Sequence, residues 1–137
     1  MQRGVDATAW VEGALAIPHV RIASTHWEKF RGLMLERELA PDEALLLQRC
    51  NSVHTCFMKI PIDVLFLSLD GTVCHVLEEM RPWRFSPVVR RARHVLECCS
   101  GTAHRLQITV GTRVRVVHTV DAVQERIEVV KPDTFSG

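Results

Sequence analysis

The chain has 137 residues and a mass of 15.6 kDa, a length that suits one domain able to bury about two thirds of its unfolded surface. Its hydrophobic share is 47%, its charged share 24% and its formal net charge +1. Those values exclude wholesale disorder and a chain-wide electrostatic pull toward nucleic acid or anionic membrane.

In chain order, residues 1–17 read as an N-terminal arm, 18–130 as a single mainly-β domain and 131–137 as a flexible tail. The arm, MQRGVDATAWVEGALAI, lacks a secretory signal's basic start, long apolar core and clean cleavage site. No later stretch reaches the roughly 18 consecutive apolar residues of a transmembrane segment. Five cysteines, at 50, 56, 74, 98 and 99, are an odd number without a C-x-x-C pair, which predicts reduced thiols and a cytoplasmic protein. HVRIA at 19–23 alternates as a strand, and Thr25 with Glu28 forms a capping box that opens a helix. Trp27, Phe30 and Met34 then form an apolar stripe at helical spacing.

After Pro41-Asp42 the period changes to two, with predicted strands at 44–49, 53–58, 62–69, 72–79, 94–99 and 113–118. Ser100 is placed to cap a short helix that Gly111 ends. About six to eight short strands with two short helices predict a mainly β, small barrel or sandwich fold, α+β only in a minor part.

LSLDGTV carries the strongest local signal, because Asp70-Gly71 between two β-rich runs predicts a two-residue type I′ turn. Counting outward pairs Leu69 with Thr72, Leu67 with Cys74, Leu65 with Val76 and Asp63 with Glu78. The other face pairs Ser68 with Val73, Phe66 with His75 and Val64 with Leu77. Both faces are largely apolar, so the hairpin is predicted to be central and covered, with two carboxylates side by side at its open end. Residues 80–93 follow with Arg81, Arg84, Arg90, Arg91 and Arg93 and no acid. An arginine folding back onto the acids would make either a structural salt bridge or a polar pocket rimmed by Trp83.

Three chemistries are weighed on these residues. His54, Cys56 and Met58 share a face if their strand is regular, a soft donor set suited to copper, although alternating side chains more often line a core. A histidine near Asp63, Glu78 or Glu97 would allow a small hydrolase or transferase. The nucleophile-elbow, zinc-protease and phosphate-loop motifs are absent, so no cofactor is expected and the balance is against an enzyme. Arginines with Trp83 and Phe85 could hold phosphates and bases, but recognition folds usually place stacking aromatics on a sheet face. The sequence therefore argues against nucleic acid.

Several motifs share an order and spacing: RGLM at 31–34, HTCFMKIPIDVLFLSLDGTV at 54–73, RPW at 81–83, HVLE at 94–97, then SGTA and VGTRVRV. Together they resemble the bacterial and archaeal domain of unknown function family 192, over about residues 19–118. The resemblance implies a compact, mainly β fold with a few short helices. It assigns the family's Gly-Leu-Met helix to Gly32–Met34, the Phe-Met-Lys segment to Phe57–Lys59, and the strand aspartate to Asp63. The turn falls at Asp70–Gly71 and the Leu-Glu strand at Leu96–Glu97. The departure is Ile60-Pro61, where many similar sequences carry Asn-Thr. The expected function is a non-catalytic module binding a small molecule or a protein segment at His54, Asp63, Glu78, Arg81, Trp83, Arg84 and Glu97.

Overall fold

The computed structural model describes residues 7–23, 39–56 and 58–119. The predicted capping box, the Trp27 stripe, the Gly32–Met34 helix, Phe57 and the 131–137 tail lie outside them. Seven strands form one sheet: β1 Ala7–Val11, β2 Ala14–Ala23, β3 Glu43–Gln48, β4 Ile62–Leu67, β5 Val73–Met80, β6 His94–Cys99 and β7 Val114–His118. Their spatial order is β5-β4-β6-β3-β2-β1-β7, with β2 and β3 parallel and the other neighbours antiparallel. A one-turn helix, α1, spans Thr102–Arg105. The mainly β reading holds, and the sheet curls into a half-barrel.

Alternation along the strands explains the two cores. Leu65, Leu67, Leu46, Leu96, Val20 and Val114 bury one face inside the curl. Val64, Phe66, Leu45, Leu47 and Val95 bury the other beneath Leu39, Val53, Met58 and Ala92. With both faces covered, β4 is buried along its whole length, as its nearly continuous apolar run requires. The inner side is closed near the start of β4 by Ala103 of α1 and by Ile108 just after it.

Four expectations are corrected. Residues 7–17 are not an arm: Ala7 and Ala9 are fully buried, and β1 turns into β2 through Glu12-Gly13, both at positive φ as a primed two-residue turn requires. The described residues of 53–58 are not a strand; among them only His54 forms an isolated bridge, to Phe85, because the backbone of 53–55 bonds to the 83–86 loop instead. Ser100 is not the helix cap, a place taken by Gly101 at φ 93. Nor is the β4–β5 hairpin central, since β5 ends the strand order.

The hairpin's register is partly as predicted. Leu65 faces Val76, Phe66 faces His75 and Val64 faces Leu77. At the tip, however, the Ser68 N–H donates to the Thr72 carbonyl (2.9 Å) and Leu67 faces Val73, which makes a three-residue loop. Only Gly71 of the expected turn pair has positive φ, 88°, the pattern of a hairpin with a left-handed glycine rather than a type I′ turn. A Cβ on Gly71 would lie 2.3 Å from the Val114 carbonyl oxygen. Here the hairpin tip meets the start of β7: the Val114 N–H donates to the Gly71 carbonyl and the Val73 N–H to that of Thr112, both at 2.9 Å. At the other end Ile62 faces Met80, so Asp63 stands opposite both Glu78 and Glu79, a bulge in which Glu79 takes φ 51.

Candidate functional site

Asp63 is fully buried, and the bulge explains how. The Glu79 N–H donates to its Oδ1 (2.9 Å), while the N–H groups of Gly101 (3.1 Å) and Ala103 (2.9 Å) donate to its Oδ2. One carboxylate thus satisfies a bulged backbone amide and two of the donors that a helix start leaves without partners. The predicted side-by-side pair with Glu78 does not form, because Glu78 and Glu79 face water while Asp63 turns into the protein. Asp63 is where an acid interrupts an apolar strand, and its chemistry here is to join β4, β5 and α1.

Glu97 lies on the opposite face of the sheet. Asp63 faces Cys98 and Val64 faces Glu97 across β4 and β6, so Glu97 points into the second core. It is 1% exposed, its Oε1 has no hydrogen-bond partner, and burial pushes its carboxyl up to about 8. A carboxylic acid in such surroundings is kept neutral at moderate pH. Burial likewise raises the Cys98 thiol beyond the usual range, with Asp63 adding to the effect. All five cysteines are free thiols. Among the described residues no histidine hydrogen-bonds Asp63 or Glu97.

His54, Arg81, Trp83 and Arg84 come together where β5 ends, and buried Thr55 organises them. The Thr55 hydroxyl donates to the Arg81 carbonyl (2.5 Å) and accepts the Arg84 N–H (2.9 Å). The Thr55 N–H donates to the Arg84 carbonyl (2.8 Å), and the Trp83 N–H to the Thr55 carbonyl (3.1 Å). One residue on, the His54 ring packs against Phe85 with centroids 5.9 Å apart. Farther along, the Ser86 N–H donates to the Val53 carbonyl and the Val53 N–H returns to the Ser86 hydroxyl, each at 2.9 Å. The outcome is a fixed platform on which Trp83, at φ 61, is 58% exposed and Phe85 77%.

Among the described residues no ion pair joins the arginines of 81–93 to an acid; a salt bridge does join His19 to Asp42 at 3.5 Å. The expected structural salt bridge with Glu78 or Glu97 is therefore not formed. The copper arrangement loses its premise too: the Cys56 N–H donates to His54 Nδ1 (3.3 Å) and the Met58 N–H to the Thr55 carbonyl (3.1 Å), a turn rather than an alternating strand. Met58 is buried in the second core while Cys56 is only half-buried.

The sequence profile of the family DUF192, described as "Uncharacterized ACR, COG1430", matches residues 8–116. This chain belongs to DUF192. A UPF0127 protein of Thermococcus sibiricus is 33% identical over 107 residues, covering 75% of this chain and 69% of that protein. A UPF0127 protein of Pyrococcus furiosus is 35% identical over 101 residues, covering 69% of this chain and 84% of that one. A crystal structure of a protein of unknown function from Novosphingobium aromaticivorans superposes with a TM-score of 0.70 at 26% identity, over 80% of this chain and 83% of that one.

In this DUF192 chain the residue that sequence reasoning missed is Thr55. A threonine flanked by His54 and Cys56 shows nothing of a role that depends on where residues 81–84 return. Also missed was the open end of the half-barrel, where Gln48, Ser68, Asp70, His94, Arg115 and His118 stand around a cavity. These come from four different segments, so no spacing in the chain announces them. No helix among the described residues is long and apolar enough to cross a membrane.

Proposed function

We propose that this DUF192 chain is a non-catalytic binding module whose 53–56 and 81–86 platform takes up an extended protein segment carrying acidic and apolar residues. The observation that carries the reading is Trp83, a bulky residue kept at positive φ and more than half exposed by a fully buried threonine. Holding a non-glycine residue there costs about 1–3 kcal/mol, and such strain concentrates at ligand clamps. Tryptophan and arginine are also the residue types that dominate binding hot spots. In this arrangement Trp83 and Phe85 supply apolar wall, and Arg81 and Arg84 supply donors for carboxylates. Asp63 and Glu97 are held inside the protein, and that supports a module over a hydrolase or transferase, which would need an acid in reach of both a histidine and substrate.

The test is fluorescence anisotropy of a labelled peptide built from repeated Glu-Phe-Asp-Leu units, titrated with the full chain. Trp83→Ala and Arg84→Ala are each expected to weaken binding by about tenfold or more while the protein stays folded. Unchanged affinity in both variants contradicts the platform. Preferential binding of a single-stranded oligonucleotide, lost steeply with salt, would instead make the partner a nucleic acid.

A further inference from the structure

The loop that carries Trp83 continues past Ser86 as one pinned band. It leaves the sheet after Met80, which faces Ile62 at the start of β4, and returns at the other end of that strand, where the Arg93 N–H donates to the Leu67 carbonyl (2.7 Å). Between these points the Val89 N–H donates to the Asn51 carbonyl (2.8 Å), and the Arg93 carbonyl accepts the Cys50 N–H (3.0 Å). Ala92 is buried in the second core and Val89 packs against it. Held from below in this way, the band turns other side chains to solvent: Trp83, Arg84 and Phe85, then Val88, Arg90 and Arg91 are all exposed, Val88 by 64%. The band runs from one end of the six-residue β4 to the other; at about 3.3 Å per residue that is a span on the order of 17 Å.

Charge lies toward the two ends of this exposed surface and apolar groups lie between. Arg84 stands at one end and Arg90 with Arg91 at the other, Phe85 and Val88 separate them, and residues 80–93 hold no acid. Arg93 serves the band itself, its Nη1 donating to the carbonyls of Arg90 (3.1 Å) and Ala92 (3.2 Å). Arg84 makes a long contact with the neighbouring Trp83 carbonyl (3.4 Å). Among the described residues the guanidinium groups of Arg90 and Arg91 have no hydrogen bond or ion pair. Guanidinium groups carried on a pinned loop suit carboxylates, which they can take bidentately. We propose that the segment taken up by the platform is acidic at both ends, one pair of carboxylates facing Arg84 and a second, about five residues along, facing Arg90 and Arg91, with an apolar middle over Phe85 and Val88. This rests on the platform reading and adds to it the charge pattern of the partner and the residues that read it.

The test compares two labelled peptides of identical composition by fluorescence anisotropy with the full chain. One is Glu-Asp-Phe-Leu-Val-Phe-Glu-Asp, acidic at both ends; the other is Phe-Leu-Val-Phe-Glu-Asp-Glu-Asp, acidic at one. Equal composition cancels general charge attraction, so the placement of the acids is what is read. The first peptide is expected to bind about fivefold or more tightly than the second. The double variant Arg90→Glu with Arg91→Glu, at exposed positions, should lose that preference, whereas Trp83→Ala should weaken both peptides and keep it. Equal affinity of the wild type for the two peptides overturns the inference, as does a preference that survives in the double variant. In either case, weaker binding of both peptides by Trp83→Ala leaves the platform itself standing. If Trp83→Ala binds both as the wild type does, the platform fails and the inference with it.

Discussion

A carboxylate that accepts three backbone N–H groups in a fully buried setting behaves as a fastener, and Asp63 is the residue on which three elements depend. Asp63→Asn keeps the shape but turns one acceptor oxygen into a donor that confronts N–H groups. Charge-assisted hydrogen bonds are worth about 1.5–3 kcal/mol each, so the substitution should cost about 3 kcal/mol in a urea unfolding measurement; a loss below about 1 kcal/mol would contradict the role. Glu97 makes the opposite kind of prediction. Its folded carboxyl is pushed up to about 8 against about 4.3 in an unfolded chain, so between those values the native state holds the extra proton. The resulting stability is complete below about pH 4.3, is lost as pH rises through about 8, and stays low above it. Thermal unfolding from pH 5 to 9 should show this slope in the wild type and lose it in Glu97→Gln, which becomes the more stable protein above about pH 8. Parallel curves would contradict the assignment. From sequence, Asp63 was legible as an anomaly and Glu97 as a candidate acid. Their opposite faces were not, because that follows from the pairing of β4 with β6, and the chain between those strands says nothing of it.

At the scale of elements, alternation gave the strands at 94–99, 62–67 and 114–118 to within a residue or two, but not the two displacements in the hairpin. The first sits at the tip, where Asp-Gly suits both a two-residue and a three-residue loop. The longer loop is required for Gly71 to lie against Val114, a contact with a strand more than forty residues later. The second sits at Glu79, a residue with no intrinsic preference for positive φ; its bulge is demanded by Asp63 from the partner strand. Both are long-range requirements without a local sequence signal. β1 was missed for a different reason: Glu12-Gly13 is a weaker turn signal than Asp-Gly, and ATAWV is short. Two glycines separate the effects of space and conformation. Gly71→Ala meets the Val114 carbonyl, whereas Gly13→Ala, also at positive φ, meets nothing within 4 Å. The first should cost on the order of 2 kcal/mol more than the second by chemical denaturation, because only it must push two backbones apart. Equal losses would show that the hairpin tip and β7 are not firmly joined.

At the scale of the whole molecule, the half-barrel has two distinct ends. One end is closed by α1, with a rigid loop platform beside it where β5 leaves the sheet. The other is open, and its polar rim is assembled from strands distant in sequence. The sheet between them is buried on both faces, so substitutions at Trp83 and Arg84 should leave the cavity floor at Leu46, Leu67 and Val116 unaltered, as expected for well-separated positions. That the fold was readable while its sites were only partly so has a common cause: alternation and turn chemistry act within a few residues, whereas Thr55, Arg81 and Arg84 meet through hydrogen bonds across about thirty. The measurement that bears most directly on the binding reading is hydrogen–deuterium exchange of the full chain with and without the Glu-Phe-Asp-Leu peptide. Slowed exchange confined to 53–56 and 81–91, and absent in Trp83→Ala, is the predicted result. Protection elsewhere, or the same protection in the variant, would contradict it.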